Sequence, residues 1–183
     1  MLQNAIGTTH TAETTALGNI EIAVAHESDL DGVLELQAAN QIGTGGMLSA
    51  SFSRSQLQRI MKDMPLLVAR RDRRILGFLV SSTADAMADV PIVRATLDAY
   101  PARAPDAYVY GPICIDGQER GRGLARLLFE ELKRLRPGRE GVLFIRQDND
   151  ASIKAHRKMG MRCPPALCTA SAIPKSATSA DRS

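Results

Sequence analysis

The 183-residue chain has no tryptophan, three tyrosines and four phenylalanines. Single-stranded nucleic acids are held by stacking bases on aromatic side chains, so this scarcity argues against such a role. The core must be aliphatic, built from Leu, Ile, Val, Ala and Met. Cysteine is also sparse: Cys114 lies in an apolar run, Cys163 and Cys168 near the C-terminus. That odd set fits neither a secreted disulfide framework nor paired zinc-ligand spacing, so no metal is expected. Nowhere do about 18 apolar residues run together, so no membrane span is expected. Residues 1–18 show neither a basic n-region nor an apolar h-region, and the expected compartment is the reducing cytoplasm. Charge of one sign is lacking too. Lys and Arg number 23 against 20 Asp and Glu, a net +3 that falls short of the dense basic face of a DNA binder.

What is present is the composition of one globular domain, 44% hydrophobic and 23% charged. Residues 1–19 lack periodicity and are expected to be a flexible leader. Ile20-Glu21-Ile22-Ala23-Val24 alternates as a half-buried strand does. Ser28, three residues before Asp31, introduces Leu30, Val33, Leu34 and Gln37 at helical spacing, which predicts a helix over 30–40. Gly43-Thr44-Gly45-Gly46 is a loop, and Ser55 is the expected cap of a short second helix that Pro65 ends. Leu66-Leu67-Val68-Ala69 and Ile75-Leu76-Gly77-Phe78-Leu79-Val80 flank five charged residues and predict an antiparallel hairpin with a solvated tip. Residues 84–106, with Pro91, Pro101 and Pro105 around a weak helix, read as an insertion or a substrate-side loop.

The second half is more informative. A strand over 107–115 is interrupted by Gly111-Pro112. A Leu-rich amphipathic helix follows, with Leu124, Leu128 and Leu132 on one face, and stops at Pro137-Gly138. Gly141-Val142-Leu143-Phe144-Ile145 is a further strand, and Asn149 or Asp150 caps a last helix that Gly160 ends. Between the first of these strands and its helix lies Ile113-Cys114-Ile115-Asp116-Gly117-Gln118-Glu119-Arg120-Gly121-Arg122-Gly123-Leu124-Ala125. Glycines allow positive φ and close approach of a ligand. Amides at a helix start, with the positive end of its dipole, suit a phosphate, and two interleaved arginines add charge. Taken alone, the loop is equally a helix start that needs a tight turn. It lacks the G-x-x-x-x-G-K-[ST] pattern and holds only part of a dinucleotide fingerprint.

Arg120-Gly121-Arg122-Gly123-Leu124-Ala125 resembles the [Q/R]-x-x-G-x-[G/A] motif of the GCN5-related N-acetyltransferase (GNAT) family. The run from Asn149 through His156 to Met159-Gly160-Met161 is similar to that family's N-x-x-A/S…Y-x-K-x-G-F ending. The resemblance is specific over 107–161, and the order of elements from about residue 20 fits it. It implies a single-domain α/β acyl-CoA N-acyltransferase fold over 20–165, with a mixed, mostly antiparallel sheet, one splayed parallel strand pair and flanking helices. It also implies acetyl-CoA or another acyl-CoA as cofactor, with the pyrophosphate on the amides from Arg120 to Ala125. Its pantetheine arm would lie along Ile113, Cys114 and Ile115. Pro112, which has no N–H, marks a plausible bulge at the splay.

Acyl transfer to an amine needs a neutral nucleophile, a polarised carbonyl and a leaving thiolate that gains a proton. By family resemblance an amide near Cys114 or Ile115 polarises the oxygen. Where the family often has a tyrosine that protonates the sulfur, this chain has His156, which is competent when charged or is simply a helix residue. Tyr108 and Tyr110 stand where an acidic residue is common, and tyrosine is a poor base near neutrality. No general base is therefore named. Asn149 reads as a cofactor contact, a helix cap or both, and Cys114 as packing rather than a nucleophile. The acceptor is expected to be a small-molecule or peptide amine, without nucleic acid or membrane involvement.

After Met161 the prolines allow at most one short edge strand, and 166–183 is expected to be a disordered tail. A second copy of the chain, as a homodimer, could complete the sheet. A CoA-binding sensor or interaction subunit that has lost catalysis is the alternative to an enzyme.

Overall fold

The computed structural model describes residues 19–87, 90–100, 105–162 and 168–170. Six strands form one sheet in chain order. They are β1 (Glu21–Val24), β2 (Leu67–Arg71), β3 (Arg74–Thr83), β4 (Tyr108–Ile115), β5 (Gly141–Leu143) and β6 (Cys168–Ala170). Neighbours are antiparallel except β4 and β5, which run parallel, so the mixed sheet with one parallel pair is observed.

Strand periodicity divides the core in two. Val68, Phe78 and Val80 point to the face covered by α1 (Leu30–Ala39), α2 (Arg54–Ile60) and α3 (Pro91–Ala99). Leu67, Ala69 and Leu79 point to the face covered by α4 (Leu124–Leu135). Both faces are apolar, so β2 and β3 read as continuous hydrophobic runs rather than alternating ones. From α4, Leu124, Leu128, Phe129 and Leu132 are buried on this second face at helical spacing.

Several local expectations change. The cap of α2 is Ser53, not Ser55. Ser53 and Ser55 each precede a glutamine by three, and the earlier closes the box: Ser53 Oγ accepts from Gln56 N–H, and Gln56 Oε1 accepts from Ser53 N–H at 2.8 Å. The chain enters α1 through a 3-10 turn over Glu27–Asp29, where Asp29 accepts from the His26 N–H, so the Ser28–Asp31 pairing is not used. The hairpin tip is not merely solvated. Arg70 pairs with Glu21, set opposite it by the β1–β2 register, and with Asp29; Arg71 pairs with Glu119 and Arg74 with Asp116, both just past the end of β4 beside β3.

The expected strand over 141–145 stops at Leu143, one residue past its last pair with the diverging β4. Cys168–Ala170 pair with β5, a correction to the tail expected over 166–183. A ladder edge accepts any extended backbone whatever its side chains. The expected leader, except Asn19, and residues 171–183 lie outside the described residues. Among the described residues, no helix is long and apolar enough to cross a membrane.

Candidate functional site

The site begins with a failure of strand pairing. Leu79 faces Ile113 and Ser81 faces Tyr110, so Gly111 and Pro112 together oppose Val80, which is a bulge. Gly111 has φ 100°, a conformation that favours glycine, and the Gly111–Pro112 peptide is cis. Beyond the bulge, β4 runs on to Ile115 without β5; the two strands pair only at Tyr108–Gly141 and Val109–Val142. The expected splay is there. It opens a cleft of about 1220 Å³ that reaches both faces of the sheet.

Along the β4 edge, the Asp116 N–H donates to Leu76 O of β3 at 2.8 Å. Strand alternation therefore turns the amides of Ile115 and Ile113 away from β3 and toward the cleft, while that of Cys114 faces β3. The Cys114 thiol is buried and its pKa is pushed up to about 11 by burial, which keeps it protonated and unreactive.

At the end of β4, Asp116 caps a 3-10 turn over Gly117–Glu119 by accepting from the Gln118 N–H. That hydrogen bond, with the Arg74 guanidinium, holds its carboxyl below the usual range. Gly121 and Gly123 follow with φ 77° and 87°, and a Cβ on either would project into open space. Strain, not crowding, is what selects glycine here. Gly123 is the N-cap of α4 and supplies no side-chain cap; the first bond into the helix is Leu127 N–H to Gly123 O. The amides of Leu124, Ala125 and Arg126 are thus the orphans of a helix start, with no side-chain cap among the described residues.

The two loop arginines do different things. Arg120 Nη2 donates to Asn40 Oδ1 at 2.5 Å, spanning the cleft to the end of α1, and its Nε donates to Ile115 O. Arg122 turns back to Glu119 at 2.6 Å. Glu119 is 7% exposed and takes Arg71 on its other oxygen, so its charge is spent within the protein. Arg126, exposed one turn into α4, lines the cleft with Lys154 and Lys158 of α5 (Asp150–Lys158).

The opposite wall comes from α5. Asn149 caps it, Oδ1 accepting from the Ser152 N–H at 3.1 Å, and also borders the cleft. His156 is 3% exposed and packs edge-on to Tyr110 at 5.6 Å. Its Nδ1 lies 2.7 Å from Ser152 O, an acceptor only, so the neutral ring carries its proton on Nδ1 and presents a bare Nε2. Burial lowers the imidazole pKa, the Ser152 hydrogen bond opposing in part. His156 Nε2 and the Tyr110 hydroxyl are both buried without a partner, and each residue lines the cleft. Unpaired buried polar atoms cost about 1–3 kcal/mol each and point to a site that a ligand completes.

Of the residues singled out from sequence, Ile113, Cys114, Ile115, Arg120, Gly121, Gly123, Ala125, Asn149 and His156 meet at this cleft. The side chains of Arg122 and Leu124 do not; the first is held by Glu119 and the second is buried in the core. Sequence reasoning missed Asn40 and Glu119, whose partners lie 80 and 48 residues away. No local pattern signals them. Lys154 and Lys158 share one helix face by their i,i+4 spacing, a signal that was available.

Residues 38–161 match the sequence model of the Acetyltransferase (GNAT) family. A search of curated proteins finds no significant match. Among solved structures, a putative acetyltransferase from Salmonella typhimurium, YncA, with its cofactor acetyl-CoA, superposes with TM-score 0.61 at 16% identity, covering 90% of this chain and 100% of that one. A phosphinothricin acetyltransferase from Sinorhizobium meliloti in complex with acetyl-CoA gives 0.61 at 16%, covering 84% and 89%. The ribosomal-protein-S18-alanine N-acetyltransferase of Escherichia coli gives 0.60 at 12%, covering 87% and 99%. The shared fold and a family match over more than half of the sequence lead to one conclusion: this chain belongs to the GNAT acetyltransferase family.

Proposed function

We propose that the protein is an N-acyltransferase that moves an acetyl group from acetyl-CoA to an amine by direct attack. The observation that carries this reading is the unpaired β4 edge facing His156 across a cleft, with uncovered α4 amides at its end. The donor fits these residues. Its pyrophosphate suits the amides of the Arg120–Ala125 loop, and its amide-rich arm suits the ladder groups of Ile113 and the N–H of Ile115, whose carbonyl Arg120 already holds. When bound, acetyl-CoA supplies an activated thioester. Among the described residues no cluster suited to a metal ion is present, and the reading invokes none.

The chain's own contribution is to place charge and protons. An amide on the β4 edge donates to the carbonyl oxygen as negative charge develops there. The proton is handled by His156. The sequence reading has it start as a charged acid, but in the fold its Nδ1–H is committed to Ser152 O and burial favours the neutral ring. Nε2 therefore begins as an acceptor. It takes the proton shed by the attacking nitrogen and returns it to the departing sulfur, so one residue serves as base and then as acid. Cys114 takes no part, since its thiol stays protonated.

Release of free CoA thiol on mixing with acetyl-CoA and a broad panel of amines tests the reading. Thiol release with at least one amine is expected. Acetyl-CoA binding without release from any amine would favour the sensor reading. Gly123→Glu is expected to abolish acetyl-CoA binding, because it sets a carboxylate against the uncovered amides. Unchanged affinity by calorimetry would remove the pyrophosphate from this loop.

A further inference from the structure

The cleft is unequal on its two sides of the sheet. Toward α2 and α3 it is lined by Phe52, Met87, Val93, Leu97 and Val109, each less than a tenth exposed. Met47 and Phe144 border the same cleft with 43% of their surfaces open. The polar side chains of this wall are neutral: Ser49, Ser51, Gln56 and Thr96. Among the described residues, the only carboxylate on the whole cleft is Glu119, and both its oxygens already hold arginines. Among the described residues, Arg120, Arg126, Lys154 and Lys158 bring positive charge to the cleft, and Arg146, which also lines it, is paired with Asp148.

These features bear on what can enter beside the donor. An apolar wall gains free energy by covering hydrocarbon and loses it by stripping water from a charge that it cannot pair. A positive surround also favours the uncharged form of an amine, which is the form that attacks. A second ammonium on the same molecule would meet the same surround with no counterion among the described residues of the α2–α3 wall.

We infer that the acceptor is a primary amine on an apolar body with no second positive charge, which excludes polyamines and basic peptides; this rests on the N-acyl-transfer reading above. The apolar wall selects the body, and a wall whose described residues include no carboxylate rejects the dication.

Hexylamine and 1,6-diaminohexane make the test, since they share a six-carbon chain and differ in the second amine. With the full chain and acetyl-CoA, kcat/KM for hexylamine is expected to exceed that for the diamine by about tenfold or more. Val93→Asp, which sets a carboxylate on the wall, is expected to narrow or reverse that ratio. If this variant fails to fold, Thr96→Asp on the same helix asks the same question at a position that is already polar. A diamine as fast as the monoamine in the unaltered protein would overturn the inference and leave N-acyl transfer standing. So would a preference for hexanoyl-CoA over acetyl-CoA that is indifferent to the amine, which would give the wall to the acyl chain. Acetyl-CoA binding with no thiol release from any amine would overturn the N-acyl-transfer reading, and this inference with it.

Discussion

At the scale of a single residue, His156 joins the fold's energetics to its chemistry. Its imidazole is buried and neutral, with a pKa below the ordinary 6.5. The unfolded chain binds a proton at that ring near pH 6.5, while the folded chain resists it to lower pH. Stability at this residue is therefore complete above about pH 6.5 and falls as pH drops through the folded value. His156→Phe is expected to flatten that decline in denaturant titrations run from pH 7.5 to 5. If Nε2 is the proton carrier, kcat/KM in the unaltered protein rises with pH through a step below 6.5, and the Phe variant lacks the step. A variant that merely repacks the helix would lower the rate at every pH and keep the step.

At the scale of elements, Glu119 is the side chain on which the Arg120–Ala125 loop turns. It holds Arg122 from the loop and Arg71 from the β2–β3 hairpin, and Asp116 holds Arg74 beside it. Glu119 is buried, so removing its charge leaves two arginines without their partner. Glu119→Gln is expected to raise KM for acetyl-CoA several-fold with a smaller change in kcat, because the loop loses its position and not its amides. Glu119→Asp should recover part of the effect. Equal losses in kcat and kcat/KM would place Glu119 in the chemistry instead. The packing of α4 is a separate matter. Leu128 is fully buried beneath the sheet, and Leu128→Ala is expected to cost about 2–5 kcal/mol in an unfolding titration.

Elements also show what a sequence can reveal. The hairpin, α1 and α4 are legible because their apolar periods are local, and Gly121 and Gly123 are legible because a backbone conformation demands them. The bulge was visible through Pro112, which lacks a donor. The long-range partners were not. Nothing near Glu119 tells of Arg71, and nothing near Asn40 tells of Arg120, because these pairings depend on sheet register. His156 shows a third case. Its position on the last helix could be read, and Ser152 O, which sets its tautomer, lies one helical turn away, but its burial against Tyr110 is brought about only by the fold. The one short edge strand that the sequence allowed after Met161 is present as β6, at residues that were expected to belong to the tail.

At the scale of the whole molecule, the apolar wall, the cationic rim and the unpaired β4 edge lie on one cleft that opens to both faces of the sheet. In the N-acyl-transfer reading, donor and acceptor approach from opposite sides. A donor that binds only the folded state adds RT ln(1 + [L]/Kd), about 2.7 kcal/mol at a hundred times Kd. Thermal unfolding is expected to shift upward with acetyl-CoA and not with ATP or NAD. A shift with ATP as large as that with acetyl-CoA would return the loop to general nucleotide binding.

The two-pair seam between β4 and β5 has a consequence for how the molecule comes apart. In the ladder, β5 joins the main sheet through Tyr108–Gly141 and Val109–Val142, whereas β3 and β4 pair along most of their length. Cooperative opening follows the thinnest attachment, so β5 and α5 form the unit whose amides exchange with solvent first. A donor lying along the unpaired edge would take the place of the missing ladder, and exchange in this unit would slow more than in β2 or β3. The gap in the sheet would then set both where a ligand sits and which part of the chain holds fast only when it does.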